Sequence, residues 1–160
     1  MEMIYKRLSQ LSIEKIEVFD TNIKVFAKSR LSKTTCNYCY SSSIKLHGLS
    51  ETRITDLPYD NKKVNVYVKR TRYKCFNCHK TFFETTPHKF HHHNMTVFVA
   101  DFILSEYNRI PCNKLANLLH IDRKTITYFI EKFKIKSGDG NGFNYTKKTT
   151  GSKKVKITNY

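Results

Sequence analysis

Two Cys-x-x-Cys pairs constrain the fold of this 160-residue chain more than any other feature. Cys36 and Cys39 form the first pair and Cys75 and Cys78 the second, across a gap of roughly 35 residues. Each pair places two thiolates on one tight turn, so two pairs supply the four soft ligands of a tetrahedral zinc site. Buried free thiols and a redox dithiol are the alternatives, but two such pairs in a reducing compartment favour a metal. We therefore expect a zinc ribbon whose metal contributes to folding.

The charge of the chain limits the partners that it can have. There are 29 Lys and Arg residues against 13 Asp and Glu, a formal net charge of +16. This excess favours nucleic acid over a role for charge in solubility alone or in binding acidic membranes. No apolar run approaches the ~20 residues that span a bilayer, and residues 1–10 lack the apolar centre of a signal peptide. We expect a protein of a bacterial or phage-infected cytoplasm, where disulfides are disfavoured.

Alternation of apolar and polar residues predicts a β-rich N-terminal part. Residues 13–19 and 23–28 alternate on either side of Asp20-Thr21-Asn22, which predicts a β-hairpin. A short strand is predicted over residues 52–57, ended by Pro58 and the Asp60-Asn61 turn.

The next predicted strand changes character along its length. Its first half has valine at every second position, at residues 64, 66 and 68. The same face then continues with Arg70, Arg72 and Lys74. It therefore becomes basic as it approaches Cys75, and the chain must turn there at the metal and enter another strand.

Three helices are predicted after residue 94. Thr96 is a suitable N-cap for the first, which runs to about Tyr107. Pro111 suits the first turn of the second, and Asp122 can cap the third. Apolar residues recur at helical spacing in all three: Val99, Phe102, Ile103, Leu115, Leu118, Leu119, Ile126, Phe129, Ile130 and Phe133.

The second and third of these helices have the spacing of a helix-turn-helix. Ala116 is small enough for the third helix to cross closely above it. His120 stands where many such motifs have Gly, and His is one of the residues that tolerate a positive φ. The alternative is an ordinary helical bundle with a basic solvent face. The predicted DNA-binding residues are Arg123, Lys124, Thr125, Thr127, Tyr128 and Lys132 on the third helix, with Arg70, Arg72 and Lys74 on the strand.

The histidines and the fifth cysteine are predicted to lie outside the metal site. The dense group at residues 88 and 91–93 can be a second metal site or a solvated, partly protonated connector, and the connector is favoured because four cysteines already complete the zinc shell. His47 and His79 lie close to the pairs and are weaker candidates as replacement ligands. Cys112 opens a helix and is expected to be a small, partly buried apolar residue.

This order of motifs resembles the bacterial insertion-sequence transposases of the ISL-three type. The resemblance runs through Cys36-Asn37-Tyr38-Cys39, His47-Gly48, residues 53–58, residues 73–84, Pro87, Thr96 and the helices around residues 114–132. Members have an N-terminal zinc finger, a helix-turn-helix and a catalytic domain with three carboxylates that hold two metal ions. Members tend to have Gly after the first cysteine pair, whereas this chain has Tyr40.

The resemblance implies double-stranded DNA as partner, specifically transposon terminal inverted repeats, with zinc as cofactor and a homodimer or a full-length transposase as further partners. Since Asp139 is the last acidic residue, no carboxylate trio can be assigned, and we expect a truncated, non-catalytic protein rather than an enzyme. A regulator or inhibitor from a mobile element or phage, acting on a host protein or nucleoprotein, is the alternative.

The expected architecture is an α+β fold in three parts. A small β-rich module, the hairpin with the zinc ribbon, spans residues 1–86. A three-helix helix-turn-helix module spans residues 94–136, and a flexible basic tail spans residues 137–160.

Overall fold

A computed structural model describes residues 1–30, 33–90 and 93–133 of the chain. They form an α+β fold of five strands and four helices. The predicted tail, the end of the predicted helical module at residues 134–136, and His91 and His92 lie outside the described residues. No helix in the described ranges is long and apolar enough to cross a membrane.

The five strands form one sheet. They are β1 (Leu11–Val18), β2 (Asn22–Ser29), β3 (Ile44–Tyr59), β4 (Lys62–Cys75) and β5 (Thr81–Phe83). The order is β1-β2-β4-β3, and β5 pairs with the end of β4. Strands β1 and β2 form the predicted hairpin. Strand β2 pairs in parallel with β4, so the hairpin and the ribbon strands share a single sheet.

Strand β3 is much longer than the strand predicted over residues 52–57. It begins at Ile44 and continues through Pro58 to Tyr59, so the prediction that Pro58 ends it was wrong. Proline is tolerated because β3 lies at the edge of the sheet order, where a missing N–H breaks no bond to a second strand. The register also shifts between Asp56 and Tyr59. The predicted turn follows, with positive φ at both Asp60 and Asn61, as a tight hairpin turn requires.

A short N-terminal helix, α1 (Glu2–Arg7), covers one face of the sheet and was missed in the sequence. Ile4 and Leu8 are fully buried, because their spacing of four residues places them on the same side of the helical turn. They pack into a core with inward-facing strand residues, namely Leu11, Ile23, Val25, Ala27, Ile54, Val64, Val66 and Val68.

Three further helices form a second core as predicted: α2 (Val97–Glu106), α3 (Cys112–Leu119) and α4 (Arg123–Phe133). The Thr96 hydroxyl caps α2 by accepting a hydrogen bond from the Val99 N–H. Pro111 stands at the N-cap of α3. The Asp122 carboxylate accepts hydrogen bonds from the N–H groups of Lys124 and Thr125 at the start of α4. The buried residues are Met95, Val99, Ala100, Ile103, Leu104, Leu115, Ala116, Leu119, Ile126, Phe129 and Ile130.

The start of α2 is attached to the outer edge of β3. The Thr55 N–H donates to the Asn94 carbonyl at 2.9 Å, and the Thr96 N–H donates to the Thr55 carbonyl at 2.9 Å. Beside these bonds, the buried Asp56 carboxylate accepts from the Thr96 hydroxyl at 2.8 Å and pairs with Arg7 at 3.0 Å. One carboxylate therefore connects α1, β3 and α2 across the predicted boundary at residues 86–94, and the division into separate domains stays a prediction.

Candidate functional site

The four predicted cysteines come together at one end of the sheet. The Sγ atoms of Cys36, Cys39, Cys75 and Cys78 all lie within 4.8 Å of one another. The closest pairs bridge the two motifs, with 3.6 Å between Cys36 Sγ and Cys78 Sγ and 3.6 Å between Cys39 Sγ and Cys75 Sγ. Four thiols at such distances form a closed set of soft ligands, as a structural zinc site requires. Neither His47 nor His79 belongs to the group.

The two cysteine pairs lie on turns with the same hydrogen-bond pattern and the same backbone conformation. The Cys36 N–H donates to the Ser41 carbonyl and the Cys75 N–H donates to the Lys80 carbonyl, both at 2.9 Å. The residue directly after each pair has a left-handed backbone, with φ of 59° at Tyr40 and 59° at His79. Gly takes this conformation without the steric cost of a Cβ. This explains why the zinc fingers that the chain resembles tend to have Gly where it has Tyr40.

Hydrogen bonds and mutual repulsion separate the pKa values of Cys39 and Cys78. The N–H of Ser41 and the side-chain amide of Asn77 lower the pKa of Cys39 to about 6. The N–H of Lys80 stabilises the Cys78 thiolate, but burial and the neighbouring cysteine sulfurs outweigh it and raise the pKa of Cys78 to about 11. One thiolate thus forms easily, while each further negative charge is opposed by those present. A divalent cation among the sulfurs removes that repulsion.

Aromatic side chains pack against the two cysteine turns, a feature that the sequence interpretation missed. Phe82 of β5 is buried beside the cysteines. It stacks on Tyr73 of β4 at 5.8 Å between ring centroids and meets the edge of Tyr38, inside the first pair, at 6.4 Å. The ammonium of Lys80 lies 4.7 Å from the centroid of the Tyr38 ring. The strands thereby hold both turns in place.

In a comparison with known families, residues 32–78 match the zinc-finger of transposase IS204/IS1001/IS1096/IS1165. The matched segment contains all four cysteines of the cluster. Residues 32–78 therefore resemble the zinc ribbon of this transposase family. Strand β5 and helices α2, α3 and α4 lie beyond the matched segment. No curated protein and no solved structure matches the chain.

Two stretches of the chain that contain the cysteine pairs carry positive charge and no carboxylate. Residues 21–50 and 61–83 contain no Asp or Glu. The three predicted basic residues of β4 are arranged differently from one another. Arg70 and Arg72 lie over the Phe83 ring, at 4.5 and 5.9 Å from its centroid, and Arg72 also donates to the Thr81 hydroxyl. Arg70 is half-buried, whereas Lys74 is exposed.

The predicted DNA-binding residues of α4 form a polar surface of the helical part. Arg123, Lys124 and Tyr128 are exposed. The Lys132 ammonium donates to the Tyr128 hydroxyl at 2.7 Å and lies 5.0 Å from the centre of that ring. Thr125, Thr127 and Lys132 are half-buried. The opposite side of α4 packs into the helical core through Ile126, Phe129 and Ile130.

His88 and His93, the described histidines of the 88–93 group, are half-buried and pack against aromatic rings, so the interpretation as a solvated connector was wrong for them. The His93 ring contacts aromatic rings at the end of α4, namely Tyr128, Phe129 and Phe133. The His88 ring lies 5.4 Å from that of Phe98, and burial lowers its pKa, so His88 favours the neutral form. Cys112 packs partly buried against the helical core, as predicted.

The left-handed conformation of Tyr40 leads to a prediction about the stability of a glycine variant. We expect Tyr40→Gly to raise the free energy of unfolding of the zinc-loaded protein by about 1 kcal/mol, because glycine takes positive φ without the steric cost of a Cβ. The Tyr40 side chain is 79% exposed, so few contacts are lost. Denaturant unfolding measures the change. Ser42→Gly is the control, since Ser42 is not among the residues with positive φ; a Tyr40→Gly protein less stable than this control would contradict the prediction.

Proposed function

We propose that the protein is a zinc-dependent DNA-binding protein that recognises double-stranded DNA as the end-binding part of an insertion-sequence transposase does, at terminal inverted repeats. The observation that carries the proposal is the transposase-type zinc ribbon at residues 32–78, with its four cysteines in one cluster. The net charge of +16 and the absence of Asp and Glu from residues 21–50 and 61–83 support a polyanionic partner.

The proposal assigns sequence reading to α3, α4 and the turn between them, acting as a helix-turn-helix. His120 ends α3 in the left-handed conformation, with φ of 53°, and the Ile121 N–H returns to the Ala116 carbonyl at 3.1 Å. The buried Ala116 leaves room for α4 to pack closely. This turn supports the role of α4 as a recognition helix, whose N-terminal residues enter the major groove.

Within α4, the proposal gives Arg123 and Lys124 contacts to base edges or phosphates at the start of the helix, where both side chains are exposed. Tyr128 and Lys132 lie one and two turns further along and contact the sugar-phosphate backbone. Lys132 is held over the Tyr128 ring, so the pair presents a hydroxyl and an ammonium together. Such contacts set the orientation of the protein on the duplex.

We propose binding without strand cutting. Cutting by two metal ions requires a cluster of carboxylate ligands. Within residues 1–30, 33–90 and 93–133, the four cysteines are the one group of His, Cys, Asp and Glu side chains close enough to hold a metal ion. Labelled inverted-repeat DNA should therefore stay intact when incubated with the protein and magnesium or manganese; specific cleavage products would refute this part of the proposal.

The α4 assignment predicts a loss of duplex binding in the Arg123→Ala/Lys124→Ala protein. Each base contact contributes about 1–3 kcal/mol, so affinity for the preferred site should fall at least tenfold while the melting temperature stays nearly constant. The site is first selected from random duplexes and compared with inverted repeats of this transposon family. Binding is then measured by gel shift at several salt concentrations, with and without a zinc chelator.

A double variant with the same loss of charge controls for electrostatics. Lys15→Ala/Lys28→Ala removes two well-exposed lysines from the hairpin strands. It should lower affinity for all duplexes similarly, without a change of sequence preference. If the two double variants lose affinity for the preferred site equally, α4 does not read the sequence. If the unmodified protein binds every duplex equally, its affinity is purely electrostatic and the proposed sequence recognition is wrong.

A further inference from the structure

A groove opens on the zinc ribbon, beside the ends of β3 and β4. Its lining consists of Lys45, Leu46, His47, Gly48, Lys74 and Phe76, and its volume is about 510 Å³. We call it the ribbon groove. It lies within the segment that matches the transposase zinc finger, and apart from Lys74 its residues belong to none of the surfaces described above.

Local backbone geometry shapes the ribbon groove. Lys45 and Lys74 are direct partners in the β3–β4 register, so their side chains leave the same face of the sheet, and both line the groove. The register then shifts between Leu46 and Gly48, which leaves His47 as an extra residue in β3. Gly48 has φ of 151°, which favours glycine, and a Cβ built there would meet nothing within 4 Å. The backbone at this point is open to a close approach.

Phe76 supplies an apolar wall. Its backbone N–H donates to the Ser43 carbonyl at 2.9 Å, which fixes the start of the side chain. The residue is 52% exposed, and no ring stacking is found for it among the described residues. Leu46, at 61% exposed, lies on the same groove. An exposed aromatic ring beside two lysines is the combination with which proteins bind unpaired nucleotides, because the ring stacks on a base and the cations neutralise phosphates.

We propose that the ribbon groove binds single-stranded DNA, with one unpaired base stacked on Phe76 and the flanking phosphates paired with Lys45 and Lys74. This inference rests on the proposed DNA-binding function and deepens it, because it adds a second DNA site separate from α4. Residues 21–50 and 61–83, which supply the whole lining of the groove, contain no Asp or Glu, so these stretches bring no carboxylate that repels the phosphates. A base inside a duplex is covered on both faces by its neighbours, so stacking on Phe76 selects the unpaired form.

Replacing Phe76 tests the stacking contact in the full, zinc-loaded chain. Phe76→Ala should weaken binding of a short single-stranded oligonucleotide about tenfold to a hundredfold, while binding of the preferred duplex stays within about twofold. Phe76→Tyr should keep the single-strand affinity, because a phenol ring still stacks. A 2-aminopurine base in the oligonucleotide reports the contact directly, since stacking quenches its fluorescence; the quenching should vanish in Phe76→Ala and persist in Phe76→Tyr.

Matched variants separate the groove from general effects. Tyr5→Ala removes an aromatic residue of equal exposure, 52%, from α1, and it should leave single-strand binding unchanged. Lys45→Ala/Lys74→Ala should weaken single-strand binding and flatten its salt dependence. Arg123→Ala/Lys124→Ala should lose the duplex and keep the single strand, so that failure of one site is distinguishable from failure of the other.

Two results would overturn the inference. One is a Phe76→Ala protein with the same single-strand affinity and the same 2-aminopurine quenching as Tyr5→Ala. The other is Phe76→Ala losing single strand and duplex in equal measure, which would make the groove part of one nonselective surface. Zinc content measured for every variant shows that the ribbon is intact in each comparison.

Discussion

Replacing Cys75 with serine is expected to abolish stable zinc binding and to unfold the ribbon end of the sheet. Cys75 is fully buried, and its Sγ lies 3.6 Å from that of Cys39. A serine hydroxyl does not supply the thiolate that a four-cysteine site needs. The metal contributes apparent free energies of about 10–16 kcal/mol in small zinc-finger peptides, which is as large as the total stability of about 5–15 kcal/mol of a typical domain. The loss should therefore be structural and not confined to the site.

The fifth cysteine provides the control. Cys112 lies at the start of α3 and outside the cluster, so Cys112→Ser should keep one zinc ion per chain. Elemental analysis gives the stoichiometry, and amide hydrogen exchange should show loss of protection in β5 and the adjoining ends of β3 and β4. A Cys75→Ser protein that retains full zinc and native protection would contradict both the metal assignment and the proposed zinc dependence.

The cysteine site was predictable from sequence because its information is local. The two residues between the cysteines of each pair place both thiols on one turn. Two such pairs supply the four ligands of a tetrahedral zinc site. Turn chemistry was equally readable: the chain turns at Asp60 and Asn61 as predicted, and His120 has the positive φ that its position suggested. The caps at Thr96 and Asp122 follow from the same short-range rules.

The features that were missed depend on long-range packing. Nothing in residues 22–29 and 63–69 indicates that β2 joins β4 in parallel, because the pairing spans the whole ribbon. Pro58 was interpreted as a strand end because the edge position that tolerates it is a property of the sheet. Helix α1 is six residues long, too short for helical periodicity to stand out. The packing of His93 among rings of α4 likewise requires the tertiary fold.

The second prediction with a large expected effect concerns the buried Asp56 carboxylate, which connects α1, β3 and the start of α2. Asp56→Ala should lower the free energy of unfolding by about 3–5 kcal/mol, the range typical for removing one partner of a buried ion pair. The carboxylate is 1% exposed and holds Arg7 at one oxygen and the Thr96 hydroxyl at the other. Of its bonds to the described residues, Arg7, whose side chain is 15% exposed, then keeps the one to the Leu57 carbonyl. The melting temperature should fall by roughly 10 °C or more.

A carboxylate on the same strand supplies the comparison. Glu51 of β3 is exposed, and Glu51→Ala should change stability by no more than about 0.5 kcal/mol. A double-mutant cycle with Arg7→Ala isolates the ion pair, because Arg7→Ala/Asp56→Ala should cost less than the sum of the single changes. Additive costs would mean that Arg7 and Asp56 act independently.

Asp56 also attaches the start of α2 to the sheet, so its loss should destabilise some parts of the protein more than others. The Thr96 hydroxyl both donates to Asp56 and accepts from the Val99 N–H, and it therefore couples the helix cap to the sheet. Hydrogen exchange in Asp56→Ala should rise first at the start of α2 and in α1, while the cysteine cluster, which lies at the other end of β3, keeps its protection and its metal. If zinc loss accompanies the change, the junction and the cysteine site form one cooperative unit, and the two ends of β3 do not respond separately.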